Sequence, residues 1–410
     1  MSGRCVLAAV PARRHPGPGG WMDNTSGRIW GMNSKHPGRG PGDGDKMFEA
    51  KPPPTMSPPT GRPDSPTNHS EMHRSSGWRL AWKRWQTATR AGLAIGVMTA
   101  WLGLTACSEP PVPALTVGMN TWVGYDPLVL ARDRQLIDTQ QVKVVELSSS
   151  SETLRHLRNG LLDAAALTLD ETLRLADEGV DLRVVAVLDA SSGADVVLVN
   201  PAIQSLAQLH GAGIAVEGTT VGALMLERLL QAAGLQQIDV HVVNMEATLH
   251  LSALRSGRVS AAVSYEPVAG LLRAAGYKDI FDSRQMPGDI VDVLVVRASA
   301  LKERSAQVDA LLAGWQRGLQ ALQERPEAAA RLLAPGVELS TEDYLATLQK
   351  LTFYSTAQSL EQLSAAPPVL EQGALRLVAT LQTMGLLKAT PDWGRLLDPE
   401  PARRLKEVSE

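Results

Sequence analysis

Cysteine is almost absent from this chain of 410 residues. The two cysteines, Cys5 and Cys107, provide neither a disulfide framework nor a cysteine cluster for zinc or iron. The four histidines beyond residue 107 lack metal-ligand spacing, so neither a metal site nor a cofactor is expected; they are His156, His210, His241 and His250. A Gly-x-Ser-x-Gly nucleophile motif is missing too, which argues against a hydrolase.

A periodic hydrophobic pattern is missing from residues 1–71. This segment holds twelve Pro and eleven Gly, and such a composition cannot bury enough apolar surface to offset chain entropy. We expect a disordered extension. It is either a cleaved cytoplasmic tail or the product of a start codon assigned too far upstream. The second explanation is favoured because a conventional signal peptide begins at Met72.

Residues 72–106 have the pattern of an export signal. A basic segment precedes an apolar run from Ala91 to Ala106, which is short for a membrane span. The run ends in Leu104-Thr-Ala-Cys107, which resembles a bacterial lipobox. That resemblance implies that Cys107 is acylated, with residues 107–113 as a tether to the membrane. The alternative is a single-pass anchor or a buried helix. Ser108 replaces the aspartate that favours inner-membrane retention, so inner and outer membrane both stay open.

Charge is unevenly distributed along the chain. Residues 1–106 hold 14 Lys and Arg against 6 Asp and Glu, whereas residues 107–410 hold 26 against 37. The second part therefore carries a net charge of −11. An acidic domain of this kind argues against nucleic-acid binding and against electrostatic docking on anionic lipid.

Strands alternate with short helices from Leu115 onward, a pattern that predicts an α/β fold with parallel sheet. The alternation restarts after the Asn200-Pro201 turn, which suggests two lobes. We expect lobe 1 to comprise residues 114–199 plus 291–410, and lobe 2 to comprise residues 200–290. Strands disappear from the pattern after Ser299, where Leu- and Ala-rich helices are predicted.

An internal sequence repeat supports the two-lobe organisation. The segment from Leu157 to Thr168 aligns with the segment from Leu254 to Tyr265, and each reads as helix, glycine stop, small-residue strand and polar loop. Such units are common in α/β proteins, so chance repetition is the alternative explanation.

Ligands of parallel α/β sheets meet the loops at the carboxyl ends of strands. These loops contain aromatic side chains that can stack on a ligand, together with hydroxyls and carboxylates, but no Lys or Arg. These loops therefore favour a neutral or cationic ligand, such as an amine or a nitrogen heterocycle. Helix capping is the alternative role for many of these polar residues. The candidate ligand-binding residues are Trp122, Tyr125, Asp126, Ser149, Thr168, Asp170, Ser191, Ser192, Asp195, Glu217, Thr219, Thr220, Tyr265 and Glu266.

Five segments together resemble the nitrate/sulfonate/taurine group of solute-binding proteins that serve ABC importers. The resemblance covers residues 115 to about 385. The segments, in family order, are Asn120–Leu128 followed by Ala131-Arg132, Gly160–Ala165, Asp189–Asp195, Val216–Thr219 and Tyr265–Pro267.

This resemblance implies a periplasmic-binding-protein-like fold of the second type, with two lobes and a ligand cleft between them. The strands near Asp195–Val199 and Val291–Val296 would be the crossovers between the lobes. Closure of the lobes would deliver the ligand to an ABC permease and its ATPase. The expected protein is a monomer anchored at the extracytoplasmic face through Cys107.

Three other functions stay open at this stage. A lipid-anchored sensor for a membrane kinase would have the same sequence features. A sulfonate or nitrate binder is disfavoured because positive charge is missing from the loops. An enzyme like the pyrimidine-synthesising relatives of this family is disfavoured because it would use a cysteine-rich motif and a histidine.

Overall fold

The computed structural model describes residues 112–409, in which eleven strands and fifteen α-helices are formed. The predicted extension, the signal peptide and Cys107 lie outside the described residues. Only the end of the expected tether is included, where the Gln307 side chain donates to the Pro113 carbonyl at 2.9 Å.

The strands are numbered in chain order. They are β1 (Leu115–Asn120), β2 (Val142–Leu147), β3 (Ala164–Thr168), β4 (Leu182–Ser191), β5 (Asp195–Val199), β6 (Gly213–Val216), β7 (His241–Asn244), β8 (Ala261–Tyr265), β9 (Lys278–Asp282), β10 (Val291–Arg297) and β11 (Leu351–Phe353).

The first helices lie among these strands. They are α1 (Asp126–Asp133), α2 (Ser150–Arg158), α3 (Leu169–Asp177), α4 (Thr220–Ala233), α5 (His250–Arg255) and α6 (Val268–Ala274). The later helices are α7 (Ala298–Glu303), α8 (Ser305–Glu324), α9 (Pro326–Leu333), α10 (Thr341–Leu348), α11 (Thr356–Ser364), α12 (Val369–Gly373), α13 (Leu375–Thr383), α14 (Trp393–Leu396) and α15 (Glu400–Ser409).

The first sheet has six strands in the order β11-β4-β10-β3-β1-β2. Its strand β3 is short and rich in alanine, and all five of its residues are buried. A strand covered on both faces reads as a continuous apolar run, which explains why this segment was recognisable in the sequence. Strand β1 runs parallel to β2 and β3, whereas β10 is antiparallel to both β3 and β4.

The second sheet has five strands in the order β7-β6-β8-β5-β9. Strand β6 is parallel to β7 and β8, and β5 is antiparallel to β8 and β9. The α/β prediction is therefore confirmed, with two sheets as expected for two lobes. Parallel pairs are present in both sheets, and antiparallel pairs join them because the chain crosses between the sheets twice and returns in the opposite direction.

Three details of the predicted organisation differ from the structure. Strand β5 is hydrogen bonded within the second sheet, so the first crossover precedes Asp195 instead of following Val199. Strand β9 was not predicted. Strand β11 lies beyond Ser299, in the section expected to be purely helical, and it pairs with the edge of β4.

The C-terminal helices pack against the first sheet. Helices α1 and α8 approach closely at Gly318, where a methyl group would overlap the carbonyl oxygen of Pro127. Trp315 is buried on the same helix, and its indole N–H donates to the Tyr354 carbonyl at 3.1 Å. Helix α8 thus fixes both the start of α1 and the segment after β11, two elements that approach the cleft.

Among residues 112–409, the structure contains no helix with the length and apolar character needed to cross a membrane.

Candidate ligand-binding cleft

A cavity of about 30 Å³ lies between the two sheets. Elements that belong to both sheets contribute to its wall. The lining residues are Asn120, Trp122, Tyr125, Ser150, Thr168, Glu171, Asp195, Val221, Tyr265, Ile290 and Asp292.

Two larger cavities, of about 220 and 520 Å³, lie near the C-terminal helices. Neither is lined by a residue with a buried polar atom that lacks a partner among the described residues, whereas the cleft is lined by two such residues, Asp195 and Asp292. The chemistry therefore identifies the smaller cavity as the candidate site.

Aromatic side chains close the cleft from both sides. Trp122 follows β1 and Tyr265 ends β8, and their rings meet edge to face with centroids 6.0 Å apart. The Trp122 indole N–H donates to Asp189 Oδ1 at 3.3 Å. Gly124 makes this arrangement possible, because a methyl group there would overlap both the indole nitrogen and the Asp189 carboxylate.

A capping box places Glu171 at the cavity. Thr168 accepts from the Glu171 backbone N–H, and the Glu171 side chain accepts in return from the Thr168 N–H. The Glu171 carboxylate also accepts from the Ser150 hydroxyl at 2.7 Å. The predicted capping box is confirmed, but its glutamate faces the cleft as well as the helix end.

Asp292 lines the cavity, although it was not among the predicted site residues. It lies in β10 directly opposite Asp189 in β4, and its Oδ1 accepts from the Tyr125 hydroxyl at 2.6 Å. An aspartate inside the apolar run Val291–Val296 was the available signal, since a charged residue in a buried strand needs a specific reason.

Five buried carboxyl groups gather at or behind the cavity, each at most 6% exposed: Asp170, Glu171, Asp189, Asp195 and Asp292. None forms an ion pair with a Lys, Arg or His within residues 112–409. Both side-chain oxygens of Asp170, and Oδ2 of the other three aspartates, lack a hydrogen-bond partner among the described residues.

Burial shifts the titration of these groups. Desolvation raises the pKa of Glu171, Asp189 and Asp195 to about 7 in each case. The pKa of Asp292 lies well above its usual value because of burial and the nearby charge of Asp189. Burial and the charge of Glu171 likewise raise the pKa of Asp170. Each of these carboxyl groups therefore holds a proton more tightly than a solvated carboxyl group does.

Polar contacts link the elements on either side of the cleft. Ser151 on α2 donates from its backbone N–H and its hydroxyl to Glu217, which follows β6. The Tyr265 hydroxyl donates to the other Glu217 oxygen at 3.1 Å. Lys350, which precedes β11, pairs with Glu266 at 2.6 Å. These contacts join the two sides of the cleft, where Trp122 and Tyr125 are buried.

The cavity brings together Trp122, Tyr125, Thr168, Asp195 and Tyr265 among the predicted residues. The other predicted residues do not line it. Asp126 accepts from the Tyr344 hydroxyl, Ser149 and Thr219 cap helices, and Ser191 contacts Ser283. Ser192 is exposed, Glu266 pairs with Arg273 and Lys350, and Asp170, Glu217 and Thr220 lie outside the lining.

The absence of Lys and Arg extends to the cavity lining as the structure describes it. Glu266, which follows Tyr265 of the lining, pairs with Arg273 and Lys350. In the same part of the chain, no group of three or more His, Cys, Asp or Glu side chains is arranged to hold a metal ion.

The chain belongs to the NMT1-like family, whose model matches residues 108–334. A comparison with curated protein sequences finds no match.

Solved structures share the fold. The nitrate-binding protein NrtA from Synechocystis is 14% identical with a TM-score of 0.59, covering 74% of this chain and 90% of its own. The alkanesulfonate-binding protein SsuA from Xanthomonas axonopodis is 19% identical with a TM-score of 0.57, covering 72% and 99%. The desulfurization enzyme DSZB is 18% identical with a TM-score of 0.54, covering 72% and 100%. These likenesses confirm the periplasmic-binding-protein fold with two lobes.

Proposed function

We propose that the chain is an extracytoplasmic solute-binding receptor, which captures a small molecule between its lobes and delivers it to an ABC importer. The observation that carries this proposal is the cavity between the sheets, whose wall combines aromatic rings with buried polar groups that lack partners among the described residues. Ligand pockets have this composition, with an apolar wall and a few placed polar groups.

Capture needs no covalent step. A ligand that contacts both lobes binds the closed form more tightly than the open form, and it therefore shifts the population towards closure. The Ser151–Glu217 contact and the Trp122–Tyr265 contact both join elements of the two sheets, so they form only on closure. The closed surface would then be the signal that the permease reads.

The proposed ligand is neutral or cationic, and contains nitrogen or an aromatic ring. Two neighbours in fold are named for nitrate and alkanesulfonate. In this chain the described cavity lining offers carboxyl groups and no Lys or Arg, which disfavours such anions. We further propose that the receptor works as a monomer attached to the membrane through Cys107, with lobe 2 beginning at the crossover before Asp195.

Replacing Trp122 by Ala is expected to weaken ligand binding by about 1–3 kcal/mol, the scale of a well-placed aromatic contact. The probe is any compound that raises the melting temperature of the full-length protein in a screen of amines, pyrimidines, flavins and sulfonates. Calorimetry then compares its Kd for the wild-type protein and the Trp122→Ala variant.

Trp393→Phe is the matched control, because Trp393 is a buried tryptophan that does not line the cleft. This variant should bind the probe as the wild-type protein does. Unchanged affinity in Trp122→Ala would remove the loop after β1 from the binding site. If no compound of any class binds, the proposed receptor function fails.

A further inference from the structure

The carboxyl groups of the cleft differ from helix caps and surface acids in one respect. Asp195 and Asp292 line the cavity, are 6% and 1% exposed, and each leaves Oδ2 without a hydrogen-bond partner among the described residues. Buried polar groups are nearly always hydrogen bonded, so an unpartnered carboxylate oxygen on a residue that lines a cavity needs an explanation. A ligand that donates hydrogen bonds would supply one.

Asp292 accepts from Tyr125 through Oδ1 and lies opposite Asp189, whose carboxyl group its own carboxyl group meets. Asp195 donates from its backbone N–H to the Ser191 hydroxyl at 3.1 Å. That bond holds the Asp195 backbone and leaves the side-chain Oδ2 without a partner among the described residues. Glu171 adds a third carboxyl to the wall, already oriented by Ser150 and Thr168.

Charge balance narrows the ligand class. A buried carboxylate is stable only when it is paired or protonated, and no Lys, Arg or His among residues 112–409 pairs with these three. An anion would add repulsion. A neutral molecule could donate hydrogen bonds, but above the raised pKa of about 7 it would leave the negative charge of Asp195 and Glu171 uncompensated. A quaternary ammonium would balance the charge, yet it has no N–H group for the free oxygens.

We propose that the cleft takes a small organic cation whose positive charge lies on N–H groups, an ammonium, amidinium or guanidinium, held by Asp195, Asp292 and Glu171. This inference rests on the proposed receptor function and specifies its ligand. The body of the cation would lie against Val221, Ile290 and the edge of Trp122, which form the apolar part of the wall.

Groups behind the wall add to the preference for positive charge. Asp170 and Asp189 lie behind the lining residues, and both interact electrostatically with the carboxyl groups of the wall. Binding of a cation would lower the pKa values that burial raises, so protons would leave as the cation enters. Calorimetry in buffers of different ionisation enthalpy would detect this proton release.

A probe series with one skeleton tests the inference on the full-length protein at pH 8. Benzylammonium, benzyltrimethylammonium, benzyl alcohol and phenylmethanesulfonate differ only in the group that meets the carboxylates. A smaller series of propylammonium, propyltrimethylammonium, propanol and propanesulfonate controls for size, and guanidinium is added as the smallest N–H cation. An N–H cation should bind at least about tenfold more tightly than its trimethylated and sulfonate counterparts.

Asp195→Asn should weaken binding of that N–H cation by about 10- to 100-fold, the value of a charge-assisted hydrogen bond. Asp138→Asn is the matched control, since Asp138 is exposed and remote from the cavity lining, and its variant should bind normally. Thermal melts confirm that both variants fold.

The inference is overturned if a sulfonate or a trimethylammonium compound binds as tightly as its N–H counterpart. It is also overturned if no N–H cation binds, or if Asp195→Asn keeps full affinity. If only the proposed ligand class is wrong, an alcohol or a sulfonate will still bind. If the proposed receptor function is wrong, no compound in this series or in the wider screen will bind.

Discussion

The melting temperature of the ligand-free protein is expected to fall by at least about 5 °C when the pH is raised from 5.5 to 8. The cause is the buried carboxyl groups Glu171, Asp189 and Asp195, whose pKa values burial raises to about 7. In the unfolded chain such groups titrate near pH 4. Between about pH 4 and 7 the folded state therefore holds more protons than the unfolded state.

The sign of the effect follows from proton linkage. When the folded state binds more protons, the free energy of unfolding decreases as the pH rises through that window. One unit of pKa elevation corresponds to about 1.4 kcal/mol, so three groups raised by only one unit each would lower stability by about 4 kcal/mol. In a domain of this size each kcal/mol shifts the melting temperature by a few degrees.

Calorimetric melts at pH 5.5, 6.5, 7.5 and 8 measure this dependence. The variant Glu171→Gln should show a shallower decline, because its amide mimics the protonated acid and can still accept from Ser150. A wild-type melting temperature that rises or stays constant over this range would contradict the assignment of buried, unpaired carboxyl groups to the cleft.

Asp292→Asn is expected to stabilise the folded protein at pH 8 while removing high-affinity binding of N–H cations. The amide oxygen can keep the hydrogen bond from Tyr125, and the amide N–H can donate towards Asp189 on the neighbouring strand. Burial raises the pKa of Asp292 well above its usual value, so folding at pH 8 requires the wild-type side chain to take up a proton. Asparagine needs none.

The stabilisation should disappear near pH 4, where the unfolded chain is protonated at this position as well. Asp309→Asn serves as the matched control, because Asp309 forms a surface pair with Arg404 and should change stability little. Asp292→Asn would contradict the account if it melted below the wild-type protein at pH 8, or if it bound alkylammonium probes normally. Opposite effects on stability and binding are typical of a residue kept for function.

The local elements of the fold were readable from the sequence because local interactions determine them. The Thr168–Glu171 capping box and the αL stop of α4 at Gly234 both depend on residues within one helical turn. Strand direction depends instead on distant segments. The antiparallel position of β10 between β3 and β4 requires the chain to leave the first sheet and return about a hundred residues later, and no local pattern encodes that return.

The same distinction between local and distant interactions explains which site residues could be predicted from the sequence. Trp122, Tyr125, Thr168, Asp195 and Tyr265 were predicted to lie at the cleft because each follows or begins an element at the appropriate sheet edge, and the structure places them there. Asp292 was missed because it lies within a strand, where the alternation of the sequence predicts core. Its position at the cleft is evident only in the folded protein, where β10 pairs with β4 and Asp292 lies opposite Asp189. Ser149 and Thr219 cap helices in the structure, and the sequence could not separate that role from ligand binding because both use the same hydroxyls.

Native mass spectrometry of the full-length protein as purified tests the receptor function most directly. We expect one small molecule bound per chain, which is released on unfolding and has a lower occupancy in the Trp122→Ala variant. A spectrum that shows only bare protein, together with a wide compound screen in which no compound changes the mass or the melting temperature, would contradict it.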